Sequence, residues 1–469
     1  MARVLLIYPK PNRIEFDTAH TINLGLAYMA AVLERRGHSV TVHDFNLELD
    51  HLFPDRARNA DLVGIYTITA AFKAATAIAE RIKTRLNSSC TIVLGGPHPT
   101  SRPGDALACP SVDYAAIGEG ENLICDLADN LGNTNVCQSL RGLAYRGGLG
   151  TTISNGKADI PQDLDALPFP AYHLFPTRKF NPTRPTWFSA SKMKCGSMMT
   201  SRGCPFRCTF CTSAADQPFG KKFRAMSPER VVDEMEWLVR EWGVNFIEFQ
   251  DDVFNLITSR AEEICRRLIR RKSPVRWSIL NGSARVENVT EGFMRLCKKA
   301  GCVDAWFAAE SGSARIRDEI IVKQNTLDQV RRAIEASKRA GLQTGAFFIF
   351  GNPDETPEEM EQTIDFACSL PLDRAQFTIA TPFPGTSLWD RITREGQWLV
   401  TDYDQFGPYE NVVYFELGRL KRENVMRAYK KAFRRFYLRP SYLLRNVALR
   451  KETYTNLPLL ARQAVRFMT

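Results

Sequence analysis

Twice along this chain of 469 residues, short apolar runs alternate with amphipathic helical patterns, and that alternation restricts the fold more than any other feature. In the first third, "ARVLLIYP", "HSVTVHDF", "DLVGIYTI", "TIVLGGPH" and "VDYAAIGEGE" read as strands, with "NLGLAYMAAVLERRG" and "AAFKAATAIAERIKTRL" as helices between them. Strand and helix at this spacing predict an α/β fold with a parallel, doubly wound (Rossmann-like) sheet, whose ligands bind beyond the strand C-termini. Four segments fall at those ends, 23–26, 67–69, 95–98 and 118–120, and Gly95, Gly96, Gly118 and Gly120 have no side chain to keep a large ligand from the backbone.

A second alternation starts at Gly196. Its strands are "GSMMTS", "NFIEFQ", "RWSILNG", "DAWFAA", "QTGAFFIFG" and "RAQFTIATP", and Ser227 and Pro228 open one of the intervening helices as N-cap and first turn. Six units are too few for a closed (β/α)8 barrel and predict a partial, open one with a wide lateral mouth. The expected division is a Rossmann-like domain at 1–145, a proline-rich linker without periodicity at 146–190, the partial barrel at 191–390, and a basic helical extension at 391–469. No long uncharged apolar run or secretory signal is present, so a cytoplasmic location is expected.

Of the twelve cysteines, three crowd into "SRGCPFRCTFCTS", directly after the first barrel strand. Cys90, Cys109, Cys125, Cys137, Cys195, Cys265, Cys297, Cys302 and Cys368 are scattered and read as small buried hydrophobes in a reducing compartment. A structural zinc site takes four ligands, usually as two pairs, and neither a Cys nor a His pair stands near enough to complete one. Iron-sulfur clusters also normally take four cysteines, so three imply one iron with an open coordination position.

The C-x3-C-x2-C spacing of Cys204, Cys208 and Cys211, with Phe210 before the last, resembles the radical S-adenosylmethionine (SAM) enzymes. The front third is similar to the cobalamin-binding domain fused to one branch of them; "FQDDVF", "NGSARVENV", "AAESGS", "FIFGNPDET" and "TPFPGTSL" are typical of that branch. The resemblance implies a 4Fe-4S cluster on the three cysteines, whose open iron chelates SAM and whose electron cleaves it to a 5'-deoxyadenosyl radical. It implies SAM contacts from Phe210, Ser283, Arg285 and Glu310, and cobalamin contacts from Thr67, Thr69, Gly95, Gly96, His98, Gly118, Glu119 and Gly120. Asp251 and Asp252 are expected to order the barrel mouth without transferring a proton. The D-x-H-x-x-G motif that supplies a histidine to cobalt is absent, which leaves His98 and His20 as candidates by position only.

The implied activity is cobalamin-dependent methylation of an unactivated carbon in a natural product or lipid-like substrate, with electrons from a flavodoxin- or ferredoxin-type donor. Its rivals are a radical cyclisation or oxidation of a tetrapyrrole or hopanoid and, in another class, a non-catalytic cobalamin or redox sensor.

Net charge is +10, and residues 419–469 hold fourteen Lys and Arg against two Glu, so the remainder is slightly acidic. In this tail Val425, Tyr429, Phe433 and Phe436 fall on one helical face, while Lys430, Lys431, Arg434 and Arg435 lie largely elsewhere. Such a helix either packs on the barrel or makes peripheral contact with anionic membrane. No RNA-binding module is recognisable, and nucleic acid is not an expected partner.

Overall fold

The structure is a computed structural model that describes residues 1–11, 22–48, 50–176, 194–214, 220–279, 282–407 and 411–444. The N-terminal lobe is built on a seven-stranded sheet of β1 (Arg3–Tyr8), β2 (Ser39–Asp44), β3 (Leu62–Tyr66), β4 (Thr91–Gly95), β5 (Tyr114–Ala116), β6 (Leu143–Arg146) and β7 (Thr152–Ser154). Its order is β2-β1-β3-β4-β5-β6-β7, parallel through β5 and antiparallel beyond. The sheet thus runs to residue 154, past the point where loss of periodicity suggested a linker. One face buries Leu5, Ile7, Val63, Ile65, Ile92 and Leu94; the other joins a core that continues into the second lobe through Leu164, Leu167 and Tyr172.

The second lobe starts with β8 (Cys195–Met198), then a two-stranded hairpin of β9 (Ser201–Arg202) and β10 (Arg224–Ala225). The parallel sheet continues with β11 (Phe246–Phe249), β12 (Arg276–Ile279), β13 (Cys302–Glu310), β14 (Gln343–Phe350) and β15 (Arg374–Ile379). These six strands lie in sequence order, β8 at one edge and β15 at the other, as expected of a partial barrel. Local chemistry sets the helix ends. Ser227 caps helix Pro228–Trp242, which stops at Gly243 in a left-handed conformation, and Thr326/Gln329 and Thr356/Glu359 form capping boxes on the helices that precede β14 and β15.

Both edges of the barrel sheet are covered. The Tyr172 hydroxyl donates to Ser197 O (2.9 Å) on β8, and helix Arg422–Tyr437 packs on β15 and the preceding helix. Phe433 and Phe436 of that helix meet Phe377 edge-on at 5.1 and 6.0 Å, while Lys431 and Arg435 pair with Glu361. The apolar face is therefore spent on the barrel. Residues 445–469, the rest of the basic tail, lie outside the described residues. Among the described residues no helix is long and apolar enough to cross a membrane.

Candidate active site

The three cysteines lie on the loop between β9 and β10, at the C-terminal mouth of the barrel. Cys204 N donates to Gly220 O (3.2 Å), Thr209 N to Ile321 O (3.0 Å), and Leu388 N to Thr209 O (2.9 Å), so backbone bonds close the loop on itself and tie it to two other segments. Gly203 has φ +84°, and a Cβ there would run into Lys222 O. Cys208 is buried, and Cys204 and Cys211 are half-buried. Burial pushes the Cys204 thiol up to about 12 and raises that of Cys211. The two aspartates of "FQDDVF" order this mouth. Asp251 accepts from Thr200 N (2.7 Å), Thr200 Oγ1 (2.6 Å) and Ser201 Oγ, and Asp252 accepts from Ser213 Oγ (2.7 Å) behind the cluster loop.

Glu310 ends β13 in the left-handed region (φ +63°), beside a register shift in the strand, and its carboxylate takes a 2.7 Å hydrogen bond from Lys323 Nζ. Lys323 stands between Val322 and Gln324, both also at positive φ (58° and 59°), a costly conformation for a β-branched residue. Burial alone would lower its ammonium, but Glu310 and the adjacent Cys208 outweigh it and hold the group above its ordinary value. Sequence reading missed Lys323, because "IIVKQN" carries no motif. The Arg285 guanidinium lies 3.6 Å over the Phe206 ring in the cluster loop and pairs with Glu287 (2.6 Å), so it buttresses the loop. Ser283 is buried beside β13, bridged to Phe307, and Phe210 is half-buried against the core.

In the N-terminal lobe the strand order reverses between β1 and β3, where doubly wound sheets open a ligand crevice. Tyr8 and Tyr66 end those strands with rings 5.6 Å apart; burial raises both phenols, and the nearby Asn23 side chain opposes the shift. Neither tyrosine was singled out from sequence, where each looks like the last residue of an apolar run.

Several of the residues expected at the cobalamin site also have protein neighbours. A Cβ at Gly96 would meet Thr67 O and N at 3.0 and 3.1 Å, at Gly95 it would meet Ala116 at 3.4 Å, and at Gly120 it would meet Met29 at 2.8 Å. Backbone contact and a φ of +108° account for Gly96 within the protein, whereas Gly95 makes an ordinary contact and Gly120 meets only the flexible end of Met29. Gly118 (φ +97°) has ordinary contacts only and is required by its backbone angle. Thr67 is buried and donates to Ile65 O. His98 is buried between Phe72 and Tyr403 (centroids 4.4 and 4.9 Å), with Nδ1 3.3 Å from Thr69 Oγ1 and Nε2 facing Asp105 at 3.6 Å. Its ring and Thr69 serve that box and not the crevice. His20 lies outside the described residues.

Glu119, also expected at the cobalamin site, is engaged by the second lobe. It forms buried ion pairs with Arg202 (2.7 Å) and Arg224 on the β9–β10 hairpin, and Arg202 also pairs with Glu121 (2.7 Å). Further contacts join the lobes: Tyr28 hydroxyl donates to Glu234 (3.1 Å), Lys73 pairs with Asp402 (2.6 Å), and Tyr403 hydroxyl donates to Asp105 (3.0 Å). The strand ends of the first lobe thus face the cysteine loop of the second.

The donor chemistry fits the groups inferred from sequence. Among the described residues no three Cys, His, Asp or Glu side chains converge on a single metal ion. Three cysteines on one loop at the barrel mouth are a donor set for three irons of a cubane, one thiolate to each. The neutral hydroxyls and amide of Tyr8, Tyr66 and Asn23 suit the amide-bearing rim of a corrin.

The family model described as Radical SAM superfamily matches residues 198–367, and that described as B12 binding domain matches residues 18–128. An uncharacterized methyltransferase of Pyrococcus horikoshii is 36% identical over 430 residues, 90% of this chain and 89% of its own. Cytidylyl-2-hydroxyethylphosphonate methyltransferase of Streptomyces wedmorensis is 26% identical over 445 residues, 84% of this chain and 82% of its own. The radical SAM methyltransferase TsrM of Kitasatospora setae, solved with cobalamin and a 4Fe-4S cluster bound, superposes with a TM-score of 0.67 at 20% identity, over 84% of this chain and 75% of its own. That likeness shows a shared fold.

Proposed function

The chain belongs to the cobalamin-dependent methyltransferase family of radical SAM enzymes, and from that premise we propose that it methylates an unactivated carbon of a small natural product or lipid-like molecule. When bound, the cluster, SAM and methylcobalamin supply the 5'-deoxyadenosyl radical and the methyl group; the protein's share is to bind, orient and exclude water. The observation that carries this reading is the meeting of the two sites: Glu119, one residue past Gly118, is bonded to Arg202, two residues before Cys204.

In this reading Cys204, Cys208 and Cys211 hold three irons and leave the fourth for SAM. Glu310 and Lys323 present opposite charges beside Cys208 to the zwitterionic end of SAM, with Arg285 bracing the loop from behind. Tyr8, Tyr66 and Asn23 line the corrin crevice. His98, enclosed by Phe72 and Tyr403, would help to shape the first lobe and would not be a ligand to cobalt. No side-chain base is needed, in keeping with both carboxylate oxygens of Asp251 being engaged by Thr200 and Ser201. Electrons come from a flavodoxin- or ferredoxin-type donor. Among the described residues, contact with anionic membrane would rest on exposed basic side chains, since the apolar face of helix Arg422–Tyr437 is covered.

The test is anaerobic reduction of the reconstituted protein with SAM, followed by assay for 5'-deoxyadenosine. Its formation supports the enzyme reading; none, from protein loaded with cluster, would favour a sensor. Once a substrate is found, a product without an added methyl group would favour the cyclisation or oxidation reading.

A further inference from the structure

The Glu119–Arg202–Arg224 cluster is more than a weld between lobes. Glu119, Glu121, Arg202 and Arg224 are all buried, and Glu119 engages both arginines, one from each strand of the hairpin. Arg224 also donates to Pro161 O (2.6 Å), and the Arg202 guanidinium lies 5.4 Å from the Tyr28 ring, so the hairpin is gripped by two further segments of the chain. On the other side, Arg202 leads through Gly203 directly to Cys204. The positive φ of Gly203 and the closeness of Lys222 O leave that link little freedom. Glu119 in turn sits between Gly118 and Gly120, where β5 passes into helix Glu121–Asp129 at the crevice end of its sheet.

We infer that Glu119, with Arg202 and Arg224, is a positioning device that couples corrin occupancy of the first lobe to the conformation of the cluster loop. The inference rests on the proposed function, because it needs both groups to bind. Burial makes the coupling stiff: an ion pair removed from water cannot lose one partner without leaving an uncompensated charge, so the loop and the strand end move together. By linkage the effect is reciprocal, and cluster assembly must strengthen corrin binding by the same factor as the corrin strengthens the assembled loop.

The experiment measures hydroxocobalamin affinity by absorbance, anaerobically, for full-length protein with and without its reconstituted cluster. In wild type the cluster is expected to tighten binding about fivefold or more. In Glu119→Gln that ratio falls towards one. Because loss of one buried negative charge beside two arginines could unfold the chain, the second variant is Glu119→Gln/Arg224→Gln, which removes one charge of each sign and keeps the Arg202–Glu121 pair. Hydrogen exchange gives an independent readout: hydroxocobalamin is expected to slow exchange at 201–213 in wild type and not in the double variant. Equal affinities with and without cluster in wild type, or an undiminished ratio in the double variant, would overturn the inference while leaving the proposed function standing. Failure of wild type to bind hydroxocobalamin at all would overturn both.

Discussion

Lys323 Nζ stands 2.7 Å from Glu310 Oε1 in the barrel mouth, and three residues around this pair, Glu310, Val322 and Gln324, have positive φ. A pair so placed is predicted to serve SAM as well as the fold. Lys323→Met leaves a buried carboxylate unpaired, which costs about 3–5 kcal/mol of stability, and SAM binding by equilibrium dialysis is expected to weaken about tenfold or more, about 1.4 kcal/mol. Lys323→Met/Glu310→Gln should regain most of the stability without the affinity. Recovery of both would make the pair structural only.

Alanine at Gly203 is predicted to empty the cluster loop without disturbing the first lobe. A Cβ there meets Lys222 O and must adopt φ +84°, a strain of about 1–3 kcal/mol. Iron content after reconstitution should fall while hydroxocobalamin still binds; full iron loading would show that the hairpin can relax.

Stability should depend on pH through Glu234. Burial raises this carboxyl from its ordinary 4.5 to about 7, although Arg230 (3.0 Å) and Tyr28 oppose the shift. A group whose value is raised on folding contributes stability that is complete below its unfolded value and is lost as pH climbs through the folded one. Wild type is therefore expected to lose thermal stability between pH 4.5 and about 7 relative to Glu234→Gln, whose neutral amide cannot ionise. Parallel pH profiles would contradict the assignment.

Phe436→Ala is predicted to cost about 3–5 kcal/mol, because the ring is wholly buried against Phe377. It should leave co-sedimentation with anionic vesicles unchanged in the folded protein. Loss of vesicle binding by a folded variant would show that this face leaves the barrel to meet lipid.

What could be read in advance follows physical range. The six barrel strands, the first five strands of the N-terminal sheet and the cysteine loop are local patterns, periodicity and spacing, and they appear where the sequence placed them. β7 was lost because three exposed residues, Thr152–Ser154, give no alternation to detect. Lys323 and Arg202 were not legible because a buried charge is recognised by its partner: Glu310 lies thirteen residues from Lys323, and Glu119 lies eighty-three from Arg202. Gly96 and Gly120 carried a real signal of close approach, yet sequence cannot say that Thr67 and Met29 are what approaches. His98 looked available for the same reason, since Tyr403, which closes its box, comes from the far end of the chain.

The central claim is that one chain binds a 4Fe-4S cluster and a corrin in facing sites. Anaerobic reconstitution with iron, sulfide and hydroxocobalamin, followed by desalting and metal analysis, tests it most directly. The account predicts about four irons and stoichiometric cobalt per chain, with the iron lost and the cobalt kept in Cys208→Ala. Iron without retained cobalt would contradict the account and turn the substrate search towards cyclised or dehydrogenated products.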